Sequence, residues 1–84
     1  MKYEVIDHGD TVEAVTAYSG YRVRMSLQGG GEAFHVRVHV RGSESEDEVE
    51  VAVPNRAMAS AAQAFDHGYA CAVLWIDAEN KRIL

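Results

Sequence analysis

One cysteine and one proline stand in this sequence, and no apolar stretch is long enough to cross a bilayer. The lone Cys71 excludes a disulfide within the chain, which fits a reducing compartment. A spanning helix needs about 18 or more consecutive apolar residues, and the run Ala70–Ile76 is far shorter. The start, Met1-Lys2-Tyr3-Glu4-Val5, has no apolar segment and an early acid, so it does not read as a signal peptide. Positive charge is also scarce: 8 Lys and Arg against 13 Asp and Glu leave a net charge of −5. That balance weighs against general affinity for DNA, RNA or anionic membrane, because phosphate binding needs cationic side chains. The expectation is a cytoplasmic protein of a bacterial host, with no membrane partner and with nucleic acid disfavoured.

What is present is a small, strongly patterned chain. Its 84 residues suffice for one core and one domain, residues 1–84, and dimerisation is an ordinary way for so small a core to bury more surface. Arginine outnumbers lysine and alanine is abundant, a bias common in GC-rich bacteria and their phages. Strict alternation, the signature of strands, governs the first two thirds. In Phe34–Arg41, Phe34, Val36, Val38 and Val40 face one way and His35, Arg37, His39 and Arg41 the other. Tyr21–Leu27 and Glu48–Val53 alternate in the same manner.

Turn chemistry ties these strands into a meander. Ser19-Gly20 closes a two-residue hairpin that pairs Tyr18 with Tyr21 and Ala14 with Met25. Asp7-His8-Gly9-Asp10 pairs Val5 with Val12 and Tyr3 with Ala14. The run Gly29-Gly30-Gly31 pairs Leu27 with Phe34 and Met25 with Val36. The stretch from Gly42 to Asp47 pairs Val40 with Val49 and Val38 with Val51. All four turns bury one common face, which is the consistency a specified fold requires. Thr11–Ser19 reads as strand, although the Asp10/Glu13 spacing of a capping box leaves a β-α-β-β start open. Past Pro54 the period changes. Asn55 serves as N-cap of an alanine-rich helix from Arg56 to His67, with a stripe of Ala57, Met58, Ala61, Ala62 and Phe65, and Gly68 stops it. Ala70–Ile76 reads as a buried strand, and Lys81–Leu84 returns as a short edge strand. The expected class is α+β: an antiparallel β-meander of about five strands, one helix on one face, and a C-terminal β-hairpin.

Few side chains form a chemical constellation. His35 and His39 lie about 13 Å apart along a strand, too far to share an ion, so no metal or other cofactor is expected. Cys71 with His67 and Asp66 is a conceivable nucleophile set, but a lone cysteine in an apolar run is more often packing than catalysis, and no catalytic residue is assigned. Two charged surfaces compete for a role. The outward Arg22, Arg24, Arg37 and Arg41 form a basic stripe, with Arg24 opposite Arg37 and Arg22 opposite His39 in the expected register. Glu44, Glu46, Asp47, Glu48 and Glu50 pack five acids into seven residues. As ordinary surface, the first is a solvated face with cross-strand ion pairs and the second a loop that blunts a sheet edge. As working surface, the arginines would take an anionic partner, and the acids would dock on a basic groove.

Short length, the acid run from Glu44 to Glu50 and the lack of a catalytic motif make the chain similar in style to phage-encoded inhibitors of the anti-CRISPR type. That resemblance implies a protein partner within a CRISPR effector complex and an inhibitor that works by occupancy rather than catalysis. It assigns no residue a role. The alternatives are a small bacterial structural or accessory domain that forms a homodimer through its sheet, and a nucleic-acid-binding module using the outer arginines.

Overall fold

The computed structural model describes residues 3–30, 33–42, 47–54 and 56–82. Five strands, β1 (Glu4–Asp7), β2 (Val12–Tyr18), β3 (Tyr21–Gly30), β4 (Ala33–Gly42) and β5 (Val49–Val51), lie in sequence order in one antiparallel sheet. One helix, α1 (Ala61–Arg82), follows and packs on it. Thr11–Ser19 therefore contributes a strand, as its two valines and two threonines favour.

The turns explain the register. Ser19 and Gly20 both take positive φ, 52° and 83°, which is the backbone a two-residue hairpin needs to match the twist of its strands. Tyr18 accordingly faces Tyr21, and Ala14 faces Met25, as expected. At the first turn Gly9 has φ 96°, its N–H donates to Asp7 Oδ1 (2.8 Å), and His8 N–H donates to the Thr11 carbonyl (2.8 Å). This longer loop sets Val5 opposite Ala14 and Asp7 opposite Val12, two residues from the expected pairing. A similar slip occurs between β3 and β4. Pairing continues through the glycines to Gly30 and Ala33, so Leu27 faces Val36 and Met25 faces Val38. Both slips are even, and an even slip keeps every side chain on its own face. The expected inward face therefore survives in β2, β3 and β4 while the cross-strand partners change, and β1 itself is exposed, Val5 included. Between β4 and β5, Val38 faces Val51 and Val40 faces Val49 as expected.

The helix departs most from expectation. It starts at Ala61 rather than Arg56, runs through Gly68 and the apolar stretch 70–76, and continues to Arg82. The C-terminal hairpin is thus replaced by helix among the described residues. Asn55 and residues 83–84 lie outside them. Ser60 is the cap: its hydroxyl accepts from the Gln63 N–H (3.2 Å), while Gln63 Oε1 accepts from the Ala59 N–H (3.3 Å). Before it, Met58 and Phe34 exchange two main-chain bonds in an isolated bridge. Gly68 is no stop. A Cβ there would lie 3.1 Å from methyls of both Val36 and Val38, so glycine lets helix and sheet approach closely.

The core joins Ala14, Val23, Met25, Val38, Val40 and Val51 of the sheet to Phe65, Ala72 and Ile76 of the helix. Three edge-to-face aromatic pairs spread along α1: Tyr3 with Phe65, Tyr18 with Tyr69, and Tyr21 with Trp75. Tyr3 and Tyr18 also donate to Asp66 (3.3 Å) and Asp77 (2.9 Å), and Asn80 donates to Ser19 Oγ (3.0 Å). These contacts pin both halves of α1 to the β1 and β2–β3 ends of the sheet. None of the described helices is long and apolar enough to cross a membrane.

Candidate functional site

The outer face of the sheet carries the arginine stripe, in a different order from that expected. Arg24 faces His39, Arg22 faces Arg41, and Arg37 faces Ser26, because the β3–β4 slip moves each partner by two. The expected clash of Arg24 with Arg37 is thereby relieved. Arg24 instead sits between two carboxylates. Its Nη1 donates to Glu13 (2.7 Å), and its Nε and Nη2 grip both oxygens of Glu48 (2.9 and 2.8 Å). Glu48 reaches across β4 to do this, and Nδ1 of His39, on β4, is buried with no hydrogen-bond partner among the described residues. Glu13 also meets His8 (3.0 Å) and Ser26 (3.4 Å). Arg37 holds Glu50 through Nε and Nη2 (3.1 and 3.0 Å).

These contacts shift the acids and bases in concert. Hydrogen bonds from Arg24 hold Glu48 below the ordinary carboxylate range, and those from Arg24 and then His8 do the same for Glu13. Arg37 lowers Glu50 likewise. The arginines are raised in return, by Glu48 and Glu13 for Arg24 and by Glu50 for Arg37. On this face Arg22, Arg24, Arg37 and Arg41 are matched by Glu4, Glu13, Glu48 and Glu50, four charges against four. The net charge of −5 therefore resides elsewhere. Arg24, committed to carboxylates on all three nitrogens, has little left to offer a phosphate backbone.

The acid run is divided by the same contacts. Glu48 and Glu50 belong to the ion-pair web, Asp47 is exposed, and Glu44 and Glu46 lie outside the described residues. What sequence reasoning missed is the apolar surface that adjoins the run. A groove of about 390 Å³ lies between the β5 segment and α1, lined by Val51, Ala52, Pro54, Cys71, Leu74 and Trp75. Leu74 is 70% exposed and Val49, at the start of β5, is 46% exposed. Leu74 was hidden in the run 70–76. Read as a strand, that run buries both faces. Wound as a helix, it turns Ala72 and Ile76 inward and leaves Leu74 out. The spacing of four from Ala64 through Gly68, Ala72 and Ile76 was the available signal.

Cys71 lines this groove, and burial pushes its thiol up, away from the thiolate a nucleophile needs. Among the described residues no three His, Cys, Asp or Glu side chains gather as metal ligands would. No protein-family model, curated protein or solved structure matches this chain.

Proposed function

We propose that this chain is a non-enzymatic binding protein that acts by occupying a basic surface of a protein partner. The resemblance to anti-CRISPR inhibitors nominates a CRISPR effector complex for that role. The single observation that supports the reading most is the pairing of an exposed apolar groove, lined by Leu74 and Val51, with the acid run that leads into β5. An apolar centre with a charged margin is the ordinary composition of a protein interface. The acids would steer a cationic partner, and the leucine would anchor it.

The test is a pair of variants measured on the partner recovered from the native host. Glu44→Lys, Glu46→Lys and Asp47→Lys together should abolish binding without unfolding the domain, and association should slow as salt rises. Leu74→Ser should speed dissociation and leave the salt dependence alone. Full binding by the triple reversal sinks the reading.

One observation favours a second reading, the homodimer. Arg22 and Arg41 face each other and form no salt bridge among the described residues, although the Arg41 charge helps hold the Glu48 carboxyl down. The acid run of a second copy would supply that salt bridge. Sedimentation should then show a dimer that dissociates with salt and in Arg41→Glu. A monomer at low salt excludes it.

A further inference from the structure

The edge of β4 is closed at two places and open between them. Val38 pairs with Val51, and Phe34 exchanges main-chain bonds of 3.0 and 2.9 Å with Met58. From Ala52 to Ala57 the chain forms no pair with the strand among the described residues, and Pro54 stands in the middle with no N–H to give. Alternation along β4 turns the N–H and C=O of Val36 to the same edge as those of Phe34 and Val38. They point into the gap, where no main-chain partner meets them among the described residues.

Donors with unused capacity surround this gap. A cleft of about 350 Å³ is lined by Gln28, His35, Val36, Arg37, Val53, Pro54 and Arg56. Arg37, which lines the cleft, is held by Glu50 through Nε and Nη2, and its Nη1 stands outside that fork. No side-chain hydrogen bond or salt bridge ties Gln28, His35 or the exposed Arg56 to another side chain among the described residues. The lining side chains include two guanidiniums, an imidazole and an amide but no carboxylate. In a chain of net charge −5 this is a local concentration of donors of one sign. Such donors converging from several directions suit a tetrahedral oxyanion, which accepts on every oxygen. Val36, Val53 and Pro54 give the cleft an apolar wall that suits the organic part of an ester.

We propose that the gap in the β4 edge is a binding site for the phosphate group of a small phosphorylated molecule, held by Arg56, Arg37, His35 and the Val36 N–H. The site is separate from the β5–α1 groove and stands whether or not that groove binds a protein. The test is a titration followed by amide and arginine-side-chain NMR signals, with inorganic phosphate, a nucleoside monophosphate and chloride at matched ionic strength. Saturable shifts at Val36, His35 and Arg56 are expected with both phosphates and not with chloride. Tighter binding of the monophosphate identifies an ester as the ligand, and equal binding identifies the free anion. Arg56→Glu should weaken either at least tenfold, whereas Arg22→Glu, on the far end of the outer face, should leave binding unchanged. Arg56 precedes the helix and is exposed, so its replacement leaves the core intact, which the dispersion of the same spectrum verifies. Shifts that chloride reproduces, or that survive Arg56→Glu undiminished, overturn the proposal.

Discussion

At the scale of single residues, Gly68 is the position where local preference and packing disagree most sharply. Glycine inside a helix costs about 1 kcal/mol relative to alanine. On propensity alone Gly68→Ala should therefore stabilise the chain. The added methyl, however, would sit 3.1 Å from methyls of Val36 and Val38 and 3.2 Å from a second methyl of Val36. Val38 is fully buried and has no room to shift, and a β-branched side chain has few rotamers to escape into. Overpacking of this kind costs about 1–3 kcal/mol, so crowding wins. Gly68→Ala should lower stability by about 1 kcal/mol once the helix gain is deducted. Adding Val36→Ala should recover part of the loss, as a non-additive pair in a double-mutant cycle measured by urea unfolding. A Gly68→Ala variant that melts above the wild type would show that the helix stands further from β4 than the contacts imply.

At the scale of elements, the sheet was legible and the helix was not. Four turns and strict alternation determine which face of each strand turns to the core, and this face is the one observed in β2, β3 and β4, whereas β1 is exposed throughout and Val49 of β5 is exposed. Partner identity was less legible, because a loop two residues longer or shorter preserves parity; only the Ser19-Gly20 turn and the β4–β5 pair have the expected partners. The helix was misread for physical reasons. A continuous apolar run has no period to distinguish strand from helix, and a glycine in a helix sequence signals a stop as readily as a close approach. Ser60 and Gln63 carry capping-box spacing that Asn55 had displaced. The apolar part of the candidate site was hidden, since Leu74 becomes exposed only once 70–76 is helical, and of the acid run the sequence showed the charge but not that Glu48 and Glu50 are taken up by Arg24 and Arg37. The element-level prediction concerns Phe65, which is 4% exposed, inside the core, and stacked edge-on to Tyr3. Phe65→Ala should cost about 3–5 kcal/mol, much of a small domain's stability. It should loosen Tyr3 with it, visible as earlier amide exchange along β1. Melting within a degree or two of wild type would mean that α1 contributes little to this core.

At the scale of the whole molecule, the two faces of the sheet titrate at opposite ends of the pH range. On the outer face Glu13, Glu48 and Glu50 are held below the ordinary value of 4.5 by Arg24 and Arg37. A carboxylate lowered on folding adds stability that is present above its unfolded value and is lost as pH falls through its folded one. On the helix face the sign reverses. Burial and then Asp66 raise the Tyr3 phenol above its ordinary value of 10.0, and the hydrogen bond to Asp77 leads the rise of Tyr18. A raised phenol adds stability that is present below its unfolded value and is lost as pH climbs through its folded one. Stability should thus decline below about pH 4.5 as the guanidinium–carboxylate web discharges, and decline at alkaline pH as the raised Cys71 thiol and the phenols beside Asp66 and Asp77 ionise. The two limbs separate by mutation. Glu13→Gln with Glu48→Gln and Glu50→Gln should flatten the acid limb and leave the alkaline one, while Tyr3→Phe with Tyr18→Phe should leave the acid limb and reduce the alkaline one to the part that Cys71 contributes. Urea midpoints across the pH range would read both. The acid limb should also shrink in high salt, because the web is partly exposed and screened. An acid limb unchanged in the triple glutamine variant would show that the arginine web, for all its bonds, holds no part of the fold together.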